Sequence, residues 1–305
     1  MNNKETILIT GGTGLVGKQL QLKLIAKGFN VRILSSNKAL CNNLTIFYWD
    51  ITTNTIDANA LKLVDYVIHL AGANIAEKKW TSLQKQLIID SRTKTTQLIV
   101  DSLKANNQSL KAFISSSATG YYGAITSDKI YTETDCSASD FLGTTCQQWE
   151  NSVGAISALG IRTVILRTGI VLAKNGGAIA KLILPAKLGL SSALGNGNQF
   201  FPWIHSDDLC DMYLKAIEDV SMNGVYNAVA PQHVSNKDFT KAFVKSLNKP
   251  FFMPNVPAFL LKLILGEMAI MLLTGSRVSC HKIETTGFQF KYKTIDEALK
   301  NIVAP

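Results

Sequence analysis

The 305-residue chain has no Cys-x-x-Cys pair: its five cysteines, Cys41, Cys136, Cys146, Cys210 and Cys280, are scattered, and none groups with the four histidines at metal-ligand spacing. That distribution argues against a disulfide scaffold and a zinc site and points to a reducing compartment. Long uninterrupted apolar runs are missing too. The most apolar stretch, PAFLLKLILGEMAIMLLTG at 257–275, carries Lys262 and Glu267 and is broken by Gly266, so no membrane span is expected. The opening MNNKETILIT runs directly into a strand without a signal-peptide core. The expectation is a soluble, cytoplasmic protein. Charged residues are scarce, 17% of the chain, and unbalanced to a net +9. Yet the lysines form no basic run and no interleaved aromatic platform, which speaks against nucleic acid and leaves a solvated surface with a local contribution at a phosphate site.

Apolar residues are plentiful, 47% of the chain, enough for a large core in one big domain or two coupled lobes. Through the first half, short apolar runs alternate with helical-period segments: ETILIT, a helix from about Gly14 to Lys27, NVRILS, TIFYWD, DYVIHLAG, a long helix near 80–105, KAFISSS, a helix near 141–158, and RTVILRTG. This alternation predicts an α/β fold, a doubly wound parallel sheet with helices on both faces. After Gly169 the pattern loosens into a Gly- and Asn-rich stretch before a helix at 208–219, the strand GVYNAVA and a helical C-terminal section. Residues 1–170 plus 204–230 are expected to form the nucleotide-binding lobe, with 171–203 plus 231–305 as a smaller substrate lobe over the strand C-termini.

The segment ILITGGTGLVGKQLQLKLIAKG combines strand, glycine turn and helix: Gly12, Gly14 and Gly17 satisfy G-x-G-x-x-G, and Gly11, Gly14 and Gly17 satisfy G-x-x-G-x-x-G. Glycines there let backbone amides approach a pyrophosphate at a helix N-terminus. The contacts would come from Gly11, Thr13, Gly14, Leu15, Val16 and Gly17. At the end of the second strand an NAD site usually places a carboxylate, whereas RILSSNK offers Ser35, Ser36 and Lys38 with Arg32 nearby. Hydroxyls and cations suit a 2′-phosphate, so NADP(H) is preferred to NAD(H). Asp50, closing TIFYWD, is a candidate for the adenine edge or a plain turn carboxylate.

The pieces TGGTGLVG, VIHLAGANI, FISSSATGYYG, LRTGIVL, FPWIHSDD and GVYNAVAP resemble the extended short-chain dehydrogenase/reductases, the superfamily of the nucleotide-sugar epimerases. Together with KKWTSLQKQLIIDSR, CQQWE and GEMAIMLLTGSRV, they are similar to one atypical epimerase-family subgroup of undefined substrate. The resemblance implies further cofactor contacts from Leu70, Ala71, Gly72, Ser115, Thr168 and Gly169. It also implies a small-molecule substrate, and a monomer or homodimer.

In that superfamily a serine holds the substrate hydroxyl, a tyrosine is the acid/base, and a lysine four residues on tunes it and binds the nicotinamide ribose. Ser117 matches the serine, but Leu142 stands 25 residues beyond it and Cys146 four further on. The Tyr-Lys pair is therefore absent at matched spacing. Tyr121 or Tyr122 is a replacement proton donor, with rings packing a lobe interface as the alternative. Cys146 has no cation beside it in sequence and reads as a small buried helix residue. A third reading is an NADP(H)-binding sensor or regulatory protein with little catalysis. Trp203 and His205 are the candidates for lining the substrate pocket, His205 also having a structural reading, and His69 reads as core.

Overall fold

β1 (Thr6–Thr10), TILIT, sends Ile7 and Ile9 into one core with Leu20 and Leu24 of α1 (Leu15–Ala26), and Leu8 into a second core on the opposite face. A strand covered on both faces has to be continuously apolar, and this one is buried at every position. The computed structural model describes residues 4–42, 44–174 and 176–304. β2 (Asn30–Ser35) and β3 (Ile46–Asp50) follow in parallel on one side of β1. A turn through Asn54, at φ 53°, folds β4 (Thr55–Ile56) back antiparallel as the sheet edge.

After α2 (Ala58–Leu61) the chain crosses β1, and β5 (Tyr66–His69) pairs with its other side. α3 (Ser82–Ala105) leads to β6 (Ala112–Ala118); β7 (Ile130–Tyr131) and α4 (Phe141–Ser157) precede β8 (Thr163–Thr168). β9 (Ile170–Ala173), α5 (Gly177–Lys187), β10 (Trp203–His205) and α6 (Ser206–Glu218) then bring the chain to β11 (Gly224–Ala228). The remainder comprises α7 (Asn236–Ser246), α8 (Ala258–Leu265), α9 (Ile270–Leu273), β12 (Arg277–Val278), α10 (His281–Thr285) and α11 (Ile295–Val303).

The main sheet runs β11-β8-β6-β5-β1-β2-β3-β4, parallel except for β4. Its direction of growth reverses between β1 and β5, and such a reversal opens a crevice beyond the strand C-termini. The expected doubly wound α/β fold is thus present. The sequence reading did not anticipate β4 or α5, which contains Pro185. A third core joins Leu172, Trp203, Phe239, Phe243, Ile295 and Leu299, outside the main sheet. Among the described residues no helix is long and apolar enough to cross a membrane, and no three metal-ligating side chains cluster.

Candidate functional site

At the end of β1 the chain is pressed so closely against itself that side chains are excluded. A Cβ on Gly17 would lie 2.5 Å from the Gly11 carbonyl oxygen, and one on Gly11, at φ +67°, would lie 2.9 Å from the Leu70 carbonyl. Gly12 is limited by Ile33, at 2.9 Å. Gly14 forms the N-cap of α1, its own amide donating to Gly11 O at 3.0 Å. No side chain caps α1, and its first turn carries no carboxylate. First-turn amides lack intrahelical acceptors, so this helix end presents unpaired donors and the positive end of its dipole. That geometry fits a dinucleotide pyrophosphate.

The loop after β5 is fastened to the same turn. Thr10 Oγ1 accepts from the amides of Leu70 and Ala71 at 3.1 Å and pairs with His69 Nδ1 at 2.8 Å. His69 Nε2 meets the hydroxyls of Thr95 and Thr96 at 3.2 Å, and burial lowers the imidazole to about 4. His69 therefore braces β1 against α3 as a neutral group.

At the end of β2, Ser36 and Lys38 are exposed, the ammonium lying 4.7 Å from the centroid of the Tyr48 ring. Ser35 is buried and accepts from the Asn37 amide at 3.1 Å. Arg32 is directed elsewhere, donating to the carbonyls of Asn59 at 3.0 Å and Lys62 at 2.6 Å. Asp50 accepts from the Thr52 amide and hydroxyl and from Tyr48 Oη, and the Thr52 bonds lead in lowering it to about 2. Both of its oxygens are engaged in a local turn.

The other end of the crevice holds a buried polar network. Arg167 of β8 and Glu150 of α4 are 3% and 10% exposed and form a bidentate pair, Nε to Oε1 at 2.9 Å and Nη2 to Oε2 at 2.8 Å. Burial alone would lower the Arg167 guanidinium, but the Glu150 carboxylate reverses that and holds it above its ordinary value. Ser117 Oγ donates to Glu150 Oε1 at 2.6 Å. Arg167 Nη1 donates to Tyr122 Oη at 3.0 Å, and Tyr122 Oη donates to Asn227 Oδ1 of β11 at 2.6 Å.

Two of the three expected catalytic side chains are consequently withdrawn. Ser117 is 3% exposed and Tyr122 is 2% exposed, each with its hydroxyl committed inside the network. Burial leads in raising the Tyr122 phenol to about 12, so it is held as a neutral donor. Tyr121 differs. It is half-buried, its ring lies 3.3 Å from Arg167 Cζ, and its hydroxyl has no hydrogen-bond partner among the described residues. Ser115 is fully buried and donates to Ser116 O at 2.9 Å, whereas half-exposed Ser116 pairs with Tyr213 Oη at 2.5 Å. Thr168 donates to the Leu166 carbonyl at 3.2 Å; a Cβ on Gly169 would stand 2.6 Å from Pro202 O, so this glycine serves a chain crossing.

Cys146 lies beneath Gly120, whose Cβ would be 3.7 Å from the thiol. Burial and then the Glu150 charge raise the thiol to about 12, which removes it as a thiolate nucleophile. Trp203 and His205 do not line the crevice. Trp203 is 1% exposed and donates to Gln232 O at 3.0 Å; His205 is 3% exposed, caps α6 through the Asp207 amide, and packs on Tyr292 with centroids 3.8 Å apart. β10 is buried throughout, with Trp203 in the third core and Ile204 in the first, so its side chains face neighbouring elements rather than a ligand.

Sequence reasoning missed the Glu150–Arg167 pair, Asn227 and Arg92. Arg167 did leave a signal: an arginine inside the apolar run VILRTG has to find a partner when buried. Arg92 Cζ lies 5.0 Å from the centroid of the Trp149 ring, and only tertiary packing brings it there.

Residues 7–228 match the NAD dependent epimerase/dehydratase family, and residues 256–302 match DUF1731, a domain of unknown function. The epimerase family protein YfhF of Bacillus subtilis (strain 168) is 35% identical over 301 residues, covering 98% of each chain. The crystal structure of the human epimerase family protein SDR39U1 (isoform 2) with NADPH superposes with a TM-score of 0.87 at 31% identity, covering 97% of this chain and 98% of that one. The UDP-glucose 4-epimerase of Thermus thermophilus, in complex with NAD, shares the fold at a TM-score of 0.73 and 17% identity, covering 97% of this chain and 98% of that one. The glycine turn, the sheet order and these matches agree: the chain, with Leu142 and Cys146 where the Tyr-Lys pair would stand, belongs to the NAD dependent epimerase/dehydratase family, in an atypical branch of the extended short-chain dehydrogenase/reductases.

Proposed function

We propose that the protein binds NADP(H) across the crevice and acts on a small molecule by carbonyl–hydroxyl redox or epimerisation. The observation that carries this reading is the β1–α1 turn, where glycines bring backbone against backbone and expose an uncapped helix end. NADPH in the human relative supports it. Exposed Ser36 and Lys38 at the end of β2, with no carboxylate in the run Ser35 to Lys38, favour a 2′-phosphate over a bare 2′-hydroxyl.

When bound, the nicotinamide supplies or accepts the hydride. The first-turn amides of α1 hold the pyrophosphate, and Ser36 and Lys38 hold the 2′-phosphate. Tyr121 is the phenol free to hold or move the proton at the substrate oxygen, because Tyr122 is committed to Asn227. Residues 171–203 and 231–305 form the substrate side. A second reading, a nucleotide-dependent regulatory protein without turnover, is favoured by the closure of Ser117 and Tyr122 into the buried network.

Fluorescence titration of the pure protein with NADPH and NADH tests the reading, followed by NADPH depletion against aldehydes, ketones and quinones. NADPH binds more tightly, and Gly17→Val binds neither, since its side chain meets only backbone. Tighter NADH binding would overturn the phosphate assignment. Depletion that disappears in Tyr121→Phe establishes an oxidoreductase with that phenol as donor; binding without any depletion favours the regulatory reading.

A further inference from the structure

Arg92 lies between the loop after β5 and helix α4, on the far side of the crevice. A Cβ on Gly72, after β5, would stand 3.1 Å from its Cζ, and α4 presents Trp149 to the guanidinium at 5.0 Å. Its charge is felt at the Cys146 thiol, the position where the family resemblance places a lysine. Nη1 donates to Ile88 O at 2.8 Å and Nη2 to Ala73 O at 3.2 Å. No carboxylate lies within ion-pair distance of Arg92 among the described residues, and Nε has no acceptor there. Beside it, the indole Nε1 of Trp149 is buried without an acceptor. Arg167, packed against the same helix, has Glu150 for both of these purposes.

A half-buried guanidinium without a carboxylate is unfavourable unless something else supplies acceptors, and desolvation already lowers the Arg92 group from its ordinary value. The sheet indicates what that something is. The β1–α1 turn takes a pyrophosphate and β2 lies on one side of it; β5, whose following loop borders Arg92, and β6 lie on the other. A dinucleotide spanning the crevice therefore brings its nicotinamide half to Arg92. We infer that Arg92, from α3, supplies the cation missing from α4 and donates to the hydroxyl oxygens of the ribose on the nicotinamide side. This rests on the dinucleotide reading above. A planar guanidinium offers two such donors at once, and charge-assisted donors are stronger than neutral ones.

The test compares NADPH with 2′,5′-ADP, which carries the adenine half and the 2′-phosphate without the nicotinamide ribose. In Arg92→Gln, which keeps an amide donor for Ala73 O, NADPH affinity falls about tenfold or more while 2′,5′-ADP stays within about twofold of the unsubstituted protein. Unchanged NADPH binding overturns the inference. So does an equal loss for both ligands, which would make Arg92 a brace for the loop. Arg92→Lys keeps the charge and holds NADPH within about threefold; a loss for both ligands in that variant also overturns the inference. If the unsubstituted protein binds neither ligand, it is the dinucleotide reading that fails.

Discussion

The β1–α1 turn and the β6–β8–α4 edge sit at the same end of one parallel sheet but treat their polar groups in opposite ways. At the turn, a Cβ on Gly17 would stand only 2.5 Å from the Gly11 carbonyl oxygen, so glycine alone permits the close approach that leaves open backbone amides no side chain caps. At the edge, Ser117, Glu150, Arg167, Tyr122 and Asn227 satisfy one another and are closed from solvent. Unpaired donors at the surface of a crevice are a preparation for a ligand. Paired charges inside it hold the scaffold together, and Ser117, where the family resemblance puts the serine that holds the substrate hydroxyl, is tied up among them.

Breaking the edge should have the largest effect. Glu150→Ala leaves the Arg167 charge buried and unpaired, with a stability loss of about 3–5 kcal/mol by denaturant unfolding. A loss below about 1 kcal/mol would mean the pair is solvated and the contrast false. The adjacent tyrosines sharpen it further. Tyr122→Phe removes the partner of both Asn227 and Arg167 and lowers stability by about 1–3 kcal/mol, whereas Tyr121→Phe leaves the melting curve in place. Equal effects would erase the distinction drawn between the two phenols.

Beneath the turn, the effect is pH-dependent. His69 sits at about 4 in the folded chain because of burial, below the ordinary value of 6.5. The unfolded chain therefore takes up a proton first as pH falls, so the contribution is intact above about 6.5 and is lost towards pH 4. Its share is about 2 kcal/mol between pH 7.5 and pH 5, and unfolding of His69→Gln across that range should be correspondingly flatter. An unchanged slope would place the imidazole in contact with water. The smallest effect is at Cys146: Cys146→Ala should leave NADPH affinity within about threefold, because a neutral buried thiol adds packing alone. A hundredfold loss would give that position a direct role.

The turn was legible because its requirements are local. Gly11, Gly14 and Gly17 recur every three residues between an apolar strand and a helix, so the close approach is written in neighbouring positions. The network was not legible, because Ser117, Glu150, Arg167 and Asn227 come from four separate elements. The same distance misled the reading of Trp203 and His205: an aromatic run before a helix cap looks like a rim, yet β10 lies inside a core. Ser36 and Lys38 were visible at the strand end, but only the structure showed that Arg32 turns away to the carbonyls behind it.

By itself, the sequence determined the parallel sheet, the glycine turn and the absence of a tyrosine and lysine at positions 142 and 146. Apolar periodicity, steric freedom at glycine and residue identity are properties of short segments. Tertiary structure alone decided that Ser117 and Tyr122 are closed away, that Tyr121 keeps its hydroxyl open, and that Arg92 brings a positive charge to the edge left without a lysine. Those outcomes follow from burial and from which charges find partners, and both depend on elements that meet only when the chain has folded.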